Sequence, residues 1–182
     1  MKKALLIIDI QNDYFMGGKM ELEGSEAASL RAGELLAAFR EHRLPVVHMQ
    51  HVSVRPGATF FLPDTEGVRI HANVAPAAQE TVIQKHFPNS FRDTGLLEHL
   101  KQMGIHDLVI AGMMTHMCVD ATTRAASDFG FQCFLAHDAC ATRSLSFGAT
   151  KVSAEHVHCS FVSALSGTYA TVQSAKELAS TL

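Results

Sequence analysis

Short apolar runs, each stopped abruptly by a polar or turn residue, constrain this chain most. Ala4–Ile8 is uninterrupted and ends on Asp9; Leu108–Ala111 is as apolar and ends on Gly112. A run that is apolar at every position, not at alternate ones, is covered on both faces, as in the middle of a parallel sheet. Both runs have strand length, far below the roughly 20 residues a bilayer span needs. No membrane partner is therefore expected.

Strands and helices alternate along the rest of the chain. Strands are predicted over Lys3–Asp9, Val46–Met49, Thr81–Gln84, Asp107–Ala111, Phe131–Ala136 and Ala170–Val172. Helices are predicted over Glu26–His42, Gly95–Met103, Cys118–Phe129, Phe147–Ser163 and Ala175–Ser180. Ser25 is a plausible N-cap for the first, in which Ala27, Leu30, Leu35, Ala38 and Phe39 recur at roughly helical spacing. Gly130 ends the third. The expected fold is α/β, a three-layer doubly wound sandwich, formed as one domain over residues 1–182. The long irregular stretch Gln50–Pro76 is expected to be functional, because compact domains rarely keep such loops otherwise.

Charge and cysteine usage narrow the partners. A net charge of -3 and no run of Lys or Arg leave no positive field for a phosphate backbone, so nucleic acid is not expected. The Lys-Lys start superficially resembles a signal peptide, but its apolar run stops at Asp9. The four cysteines, Cys118, Cys133, Cys140 and Cys159, match neither a zinc ribbon nor a C-x-x-C pair. A cytoplasmic protein with free thiols is the expectation.

Ligands of open parallel sheets sit beyond the carboxyl ends of the strands, where the winding reverses. Three reactive residues stand at such ends: Asp9, Lys85 and Cys118. If the strand order is 3-2-1-4-5-6, Asp9 and Cys118 face each other across the crevice, and Lys85 reaches Asp9 on its long stem. Taken singly, each has a plainer reading. Asp9 could cap a turn, Lys85 could be an ordinary exposed lysine, and Cys118 could be an inert buried thiol. Taken together, they suit nucleophilic catalysis. A helix N-terminus and a nearby ammonium favour the thiolate, and a carboxylate can move its proton. Asp9 and Lys85, at strand ends, are expected to tolerate substitution without loss of fold.

Gly112-Met-Met-Thr-His-Met-Cys118-Val119, with Asp9-Ile-Gln11-Asn12-Asp13 and Lys85, resembles the isochorismatase-like cysteine hydrolase superfamily. Asn89-Ser90-Phe91, Thr94-Gly95-Leu96, Thr123-Arg124-Ala125-Ala126, Phe129-Gly130 and Asp138-Ala139 extend the likeness over most of the chain. The resemblance implies a six-stranded parallel sheet in the order 3-2-1-4-5-6. It also implies an Asp9, Lys85, Cys118 triad that forms a thioester with a small amide or imide. A cis peptide between Met113 and Met114, an oxyanion hole from the Met114 and Cys118 amides, and a homo-oligomer, dimer or higher, are implied as well.

Isochorismatase itself lacks the nucleophilic cysteine, so Cys118 points toward C–N substrates. Metal-dependent nicotinamidases carry an Asp-x-His pair after the second strand, where this chain has His48-Met-Gln-His51. His48 and His51 would face opposite sides of a strand, and His71 could join them only if its loop folds back. Neither metal nor cofactor is expected. Gln11, Phe15, Phe60, Phe91, Thr115 and His116 are the expected substrate contacts, although His116 could equally pack its loop. Phe61 is another loop aromatic on the same side. His156 and His158 read as surface or core fillers, and Cys133 and Cys159 as packing thiols. Three other readings remain: nicotinamidase as the specific activity, a metabolite-binding pseudo-enzyme, and a thiol redox sensor with Cys140 as the resolving cysteine.

Overall fold

Successive side chains of a strand leave on opposite faces, so an all-apolar strand must feed two cores. In the computed structural model, which describes residues 2–182, β1 (Lys2–Ile8) does so. Leu5 and Ile7 enter one buried cluster, while Ala4, Leu6 and Ile8 enter another. The chain continues through α1 (Ser25–Glu41), β2 (Val46–His51), β3 (Thr81–Lys85), α2 (Leu96–Gln102) and β4 (Ile105–Met113). Next come α3 (Asp120–Asp128), β5 (Gln132–Ala141), β6 (Leu145–Phe147) and β7 (Thr150–Val152). It ends with α4 (Ala154–Leu165), β8 (Thr171–Gln173) and α5 (Ala175–Ala179).

The main sheet has six strands in the order β3-β2-β1-β4-β5-β8, all paired in parallel. This is the expected order, with β8 as its sixth strand. Helices α1 and α5 cover one face through Ala32, Leu35, Phe39 and Leu178. The other face takes Leu96 and Leu100 of α2, Ala126 of α3 and Leu165 of α4. Burying a side chain such as Leu6 or Ile8 contributes about 2 kcal/mol each.

Five local expectations need correction. Helix α1 is preceded by Gly24 in a left-handed conformation, so Ser25 lies inside the helix and does not cap it. Its buried face is Ala28, Ala32, Leu35, Leu36 and Phe39, whereas Leu30 is half exposed. An alanine-rich helix leaves its apolar stripe ambiguous by a residue. The helix expected from Phe147 is instead a hairpin of β6 and β7 turning at Gly148 (φ 58°), and α4 starts only after the Ser153 cap. Strand β5 runs on to Ala141, because a register irregularity after Ile110 sets Cys140 and Ala141 opposite Gly112 and Met113. Finally, Cys118 sits in a wide turn, Thr115–Val119, ahead of α3.

Gly112 lets the two central strands close up where that turn departs. Its φ is 147°, and a Cβ there would stand 2.2 Å from the Ile8 carbonyl oxygen. No side chain fits there. That close approach brings the end of β1 beside the segment carrying Cys118.

Candidate active site

Parallel register determines which side chains meet at the carboxyl edge. Ile8 pairs with Met49 on one side and Gly112 on the other, so Asp9 emerges between β2 and the turn after β4. His51 pairs with Lys85 across β2 and β3. Asp9 itself has a positive φ of 51°, and its amide is held by the Met49 carbonyl at 3.1 Å.

The Lys85 ammonium lies 2.7 Å from Asp9 Oδ2, with neither side chain exposed. The contact is an ion pair, not an aligned hydrogen bond, and Asp9 Oδ1 has no hydrogen-bond partner among the described residues. Lys85 Nζ also donates to the Phe87 carbonyl at 3.0 Å and meets His51 Nδ1 at 3.2 Å. Two hydrogen-bond acceptors and the Asp9 carboxylate thus surround the ammonium. Burial pulls its pKa down, but Asp9, then Cys118, outweighs burial and raises it above the ordinary lysine value. Full burial of both partners corrects the expectation that they would tolerate substitution: an orphaned buried charge costs about 3–5 kcal/mol.

One atom each from Asp9, His51 and Cys118 lies within 4.8 Å of the others. Burial above all, then the Asp9 charge, pushes the Cys118 thiol well up, and Lys85 only partly offsets this. The expected resting thiolate is therefore corrected to a neutral thiol. Asp9 and Lys85 already neutralise each other, and a thiolate would add an uncompensated charge in a buried place. Moving the proton from Cys118 to Asp9 leaves the net charge of the three unchanged. That transfer is the route by which this arrangement can generate a thiolate.

A cavity of about 390 Å³ opens over Cys118. Tyr14, Phe60 and Phe61 wall it, with Phe61 4.6 Å from the Tyr14 ring and 5.0 Å from Phe60. The buried carboxylate of Asp13 builds this wall, accepting hydrogen bonds from the amides of Phe61 (2.6 Å) and Lys19 (3.1 Å). The expected functional loop is thus pinned onto the segment after β1. Burial first, then the nearby Cys118 and Asp9, raises the Tyr14 pKa, so its phenol stays a proton donor.

Of the expected substrate contacts, only Phe60 lines the cavity. Gln11 is a buried clamp whose amide donates to the His51 and Val68 carbonyls and accepts from the His51 amide. Phe15 stacks on His71 at 3.6 Å within the first core. Phe91 packs against Phe129 and Phe131 under the opposite sheet face. Thr115 is fully buried, donating to the Ala141 carbonyl and meeting His158 Nδ1 at 2.9 Å. His116 is tied to Thr142 and packs on Phe161. Thr115 and His116, near Cys118 in sequence, thus turn to other partners and leave the cavity lining. His158, expected to be a filler, supports the cysteine-bearing turn instead. The four cysteines are free, and Cys140 donates to the Ala136 carbonyl inside the core.

Tyr14 and Arg55 line the cavity and were missed by sequence reasoning, and His51, weighed there only as a metal ligand, stands beside Lys85. Tyr14 follows the Asp9–Asp13 segment, a signal available in the sequence; the register that brings His51 to Lys85 is not. The three histidines considered for a metal serve separate partners. His48 is bonded to Glu80 at 2.9 Å, His51 to Lys85, and His71 accepts from the Asn73 amide. The Lys85 ammonium already stands where Asp9 and His51 would offer ligand atoms.

Burial, opposed by Asp9 and reinforced by Lys85, holds the His51 pKa down to about 4. An unfolded chain titrates this group near 6.5, so between the two values the unfolded state binds more protons. Stability from this residue is complete above 6.5 and is lost as pH falls toward 4, by up to about 3 kcal/mol. Urea midpoints at pH 7 and pH 4.5 should therefore diverge more in wild type than in His51→Gln; equal divergence would refute the assignment.

The Isochorismatase domain model matches residues 3–165. An uncharacterized isochorismatase family protein of Bacillus subtilis is 51% identical over 173 residues, which is 95% of this chain and 96% of that one. Streptothricin hydrolase of Streptomyces noursei is 36% identical over 140 residues, 77% of this chain and 50% of that one. Among solved structures, an isochorismatase hydrolase from Oleispira antarctica superposes with a TM-score of 0.95 at 52% identity, covering 98% of this chain and 96% of that one.

Proposed function

The chain belongs to the isochorismatase family of hydrolases, and from that premise we propose that it cleaves a C–N bond of a small amide, imide or related substrate with Cys118 as nucleophile. The observation that carries this reading is the buried Lys85–Asp9 pair, 2.7 Å long, beside a thiol at the floor of a cavity.

In this mechanism Cys118 Sγ attacks the substrate carbonyl carbon while the thiol proton passes to Asp9. The amides of Met114 and Cys118 receive the developing oxyanion; the peptide between Met113 and Met114 is cis. One such donor is typically worth about 3 kcal/mol in the transition state. Collapse breaks the C–N bond, and the Asp9 carboxyl returns the proton to the leaving amine, leaving a thioester on Cys118. Water then attacks the thioester and Asp9 takes its proton. The acid departs, Sγ regains a proton, and Lys85 remains an ammonium throughout. No step separates more charge than the resting ion pair already balances.

The decisive test is ammonia release from a panel of small amides, with wild type and Cys118→Ala side by side. Release by the wild type alone supports the reading. Release by both variants excludes Cys118 as nucleophile, and tight binding with no release marks a metabolite-binding protein.

Localisation and assembly complete the proposal. Free cysteines support a reducing, cytoplasmic setting. No helix of the described residues is long and apolar enough to cross a membrane. Met16 is 97% and Phe147 92% exposed, which supports assembly into a dimer or larger homo-oligomer. A monomer in light scattering at micromolar concentration would count against it.

A further inference from the structure

The cavity over Cys118 has an uneven balance of charge. Arg55 and His86 stand on its lining, which includes no Asp or Glu. Arg55 is exposed, and its guanidinium has no acidic partner among the described residues. Its charge is felt by the His51 ring, and that of Arg143, also without a salt bridge among the described residues, by Tyr14 and His116. Deeper in, nothing compensates. Asp9 is cancelled by Lys85, and His51, Tyr14 and Cys118 are neutral at pH 7. The walls are aromatic: Tyr14, Phe60, Phe61 and Phe87.

We infer that the substrate is a planar amide carrying a carboxylate at the end remote from the scissile bond, with Arg55 as the residue that selects it. This rests on the reading of the cavity as the substrate site. The flat part of such a molecule lies between the aromatic side chains, its amide carbon reaches Cys118, and its carboxylate meets Arg55 on the lining, whose guanidinium has hydrogen-bonding capacity to spare. Guanidinium and carboxylate match as a two-pronged pair. A cationic amide finds no counter-charge on this lining and meets Arg55 as a like charge. Low-dielectric walls around the mouth strengthen both effects.

The test uses three ligands with one ring and one amide: 4-carbamoylbenzoate, terephthalamide and 4-(aminomethyl)benzamide, which are anionic, neutral and cationic. Each is titrated calorimetrically into Cys118→Ala, so binding is read without turnover. The anion should bind about tenfold more tightly than the neutral diamide, and the cation more weakly than either. Added salt should narrow the gap, and Arg55→Gln should close it. Arg55 is exposed, so that variant keeps the fold. Equal binding, preference for the cation, absence of binding by all three, or a gap that persists in Arg55→Gln overturns the inference. Ammonia release by the wild-type protein is measured separately. If the anion binds as expected but is not hydrolysed, the charge selection stands and the amidase reading is what fails.

Discussion

Asp9→Asn is expected to lower hydrolysis by about 10²–10⁴ while substrate still binds, which is the range for losing a general base. The substitution keeps the shape but leaves the buried Lys85 ammonium without its counter-charge, so about 3–5 kcal/mol of stability is lost as well. Its effect on the nucleophile should run the other way. The Asp9 charge is the second cause holding the Cys118 thiol up, after burial, and Lys85 is the partial counterweight. With Asp9 neutral, the Lys85 ammonium stands 2.7 Å away from an amide and its charge is free to stabilise a thiolate. The apparent pKa of Cys118, read from the pH dependence of iodoacetamide labelling, should fall even as turnover collapses. Labelling and turnover moving down together would mean the variant had merely disordered the site. Near wild-type turnover would mean that Asp9 is not the base.

Lys85→Met should fail in a different way. It leaves a buried carboxylate without its cation, a change that costs about 3–5 kcal/mol of stability, seen as a lower urea midpoint. It also removes the charge that opposes the rise in the Cys118 pKa, so labelling at neutral pH should slow further. The two variants therefore shift the same thiol in opposite directions while both lose activity. A purely structural role for either residue does not produce that pattern. If Lys85→Met labels as fast as wild type, the ammonium does not bias the thiol and its place in the mechanism is wrong. Cys133 is an internal control, because burial alone pushes its pKa up to about 12 and neither Asp9 nor Lys85 contributes to it.

Much of this architecture was legible because burial leaves a local mark. Ala4–Ile8 and Leu108–Ala111 had to be covered on both sides, and the alternation of strands with helices left few ways to cover them. Asp9, Lys85 and Cys118 could be singled out because each stands where such a run stops. The aromatic loop after β2 was legible as functional for a similar reason, since Phe60 and Phe61 have no local element to pack into.

What the sequence determined by itself was the pattern of strands in the main sheet, the edge at which Asp9, Lys85 and Cys118 gather, and which three groups are proposed to act there. Tertiary structure alone decided the rest. The meeting of His51 with Lys85 depends on the register of β2 against β3, which arises from backbone hydrogen bonds between segments remote in sequence. Whether Gln11, Phe15, Phe91, Thr115 and His116 faced the cavity or the core depended on how loops with no periodicity were pinned, by Asp13 and Gln11 after β1 and by Thr142 and His158 at the turn after β4. The protonation of Cys118 was decided in the same way. A helix start and a nearby lysine favour thiolate, but desolvation and an adjacent carboxylate outweigh them once the chain is packed. Desolvation is a property of the whole surroundings, and no spacing of residues along a chain encodes it.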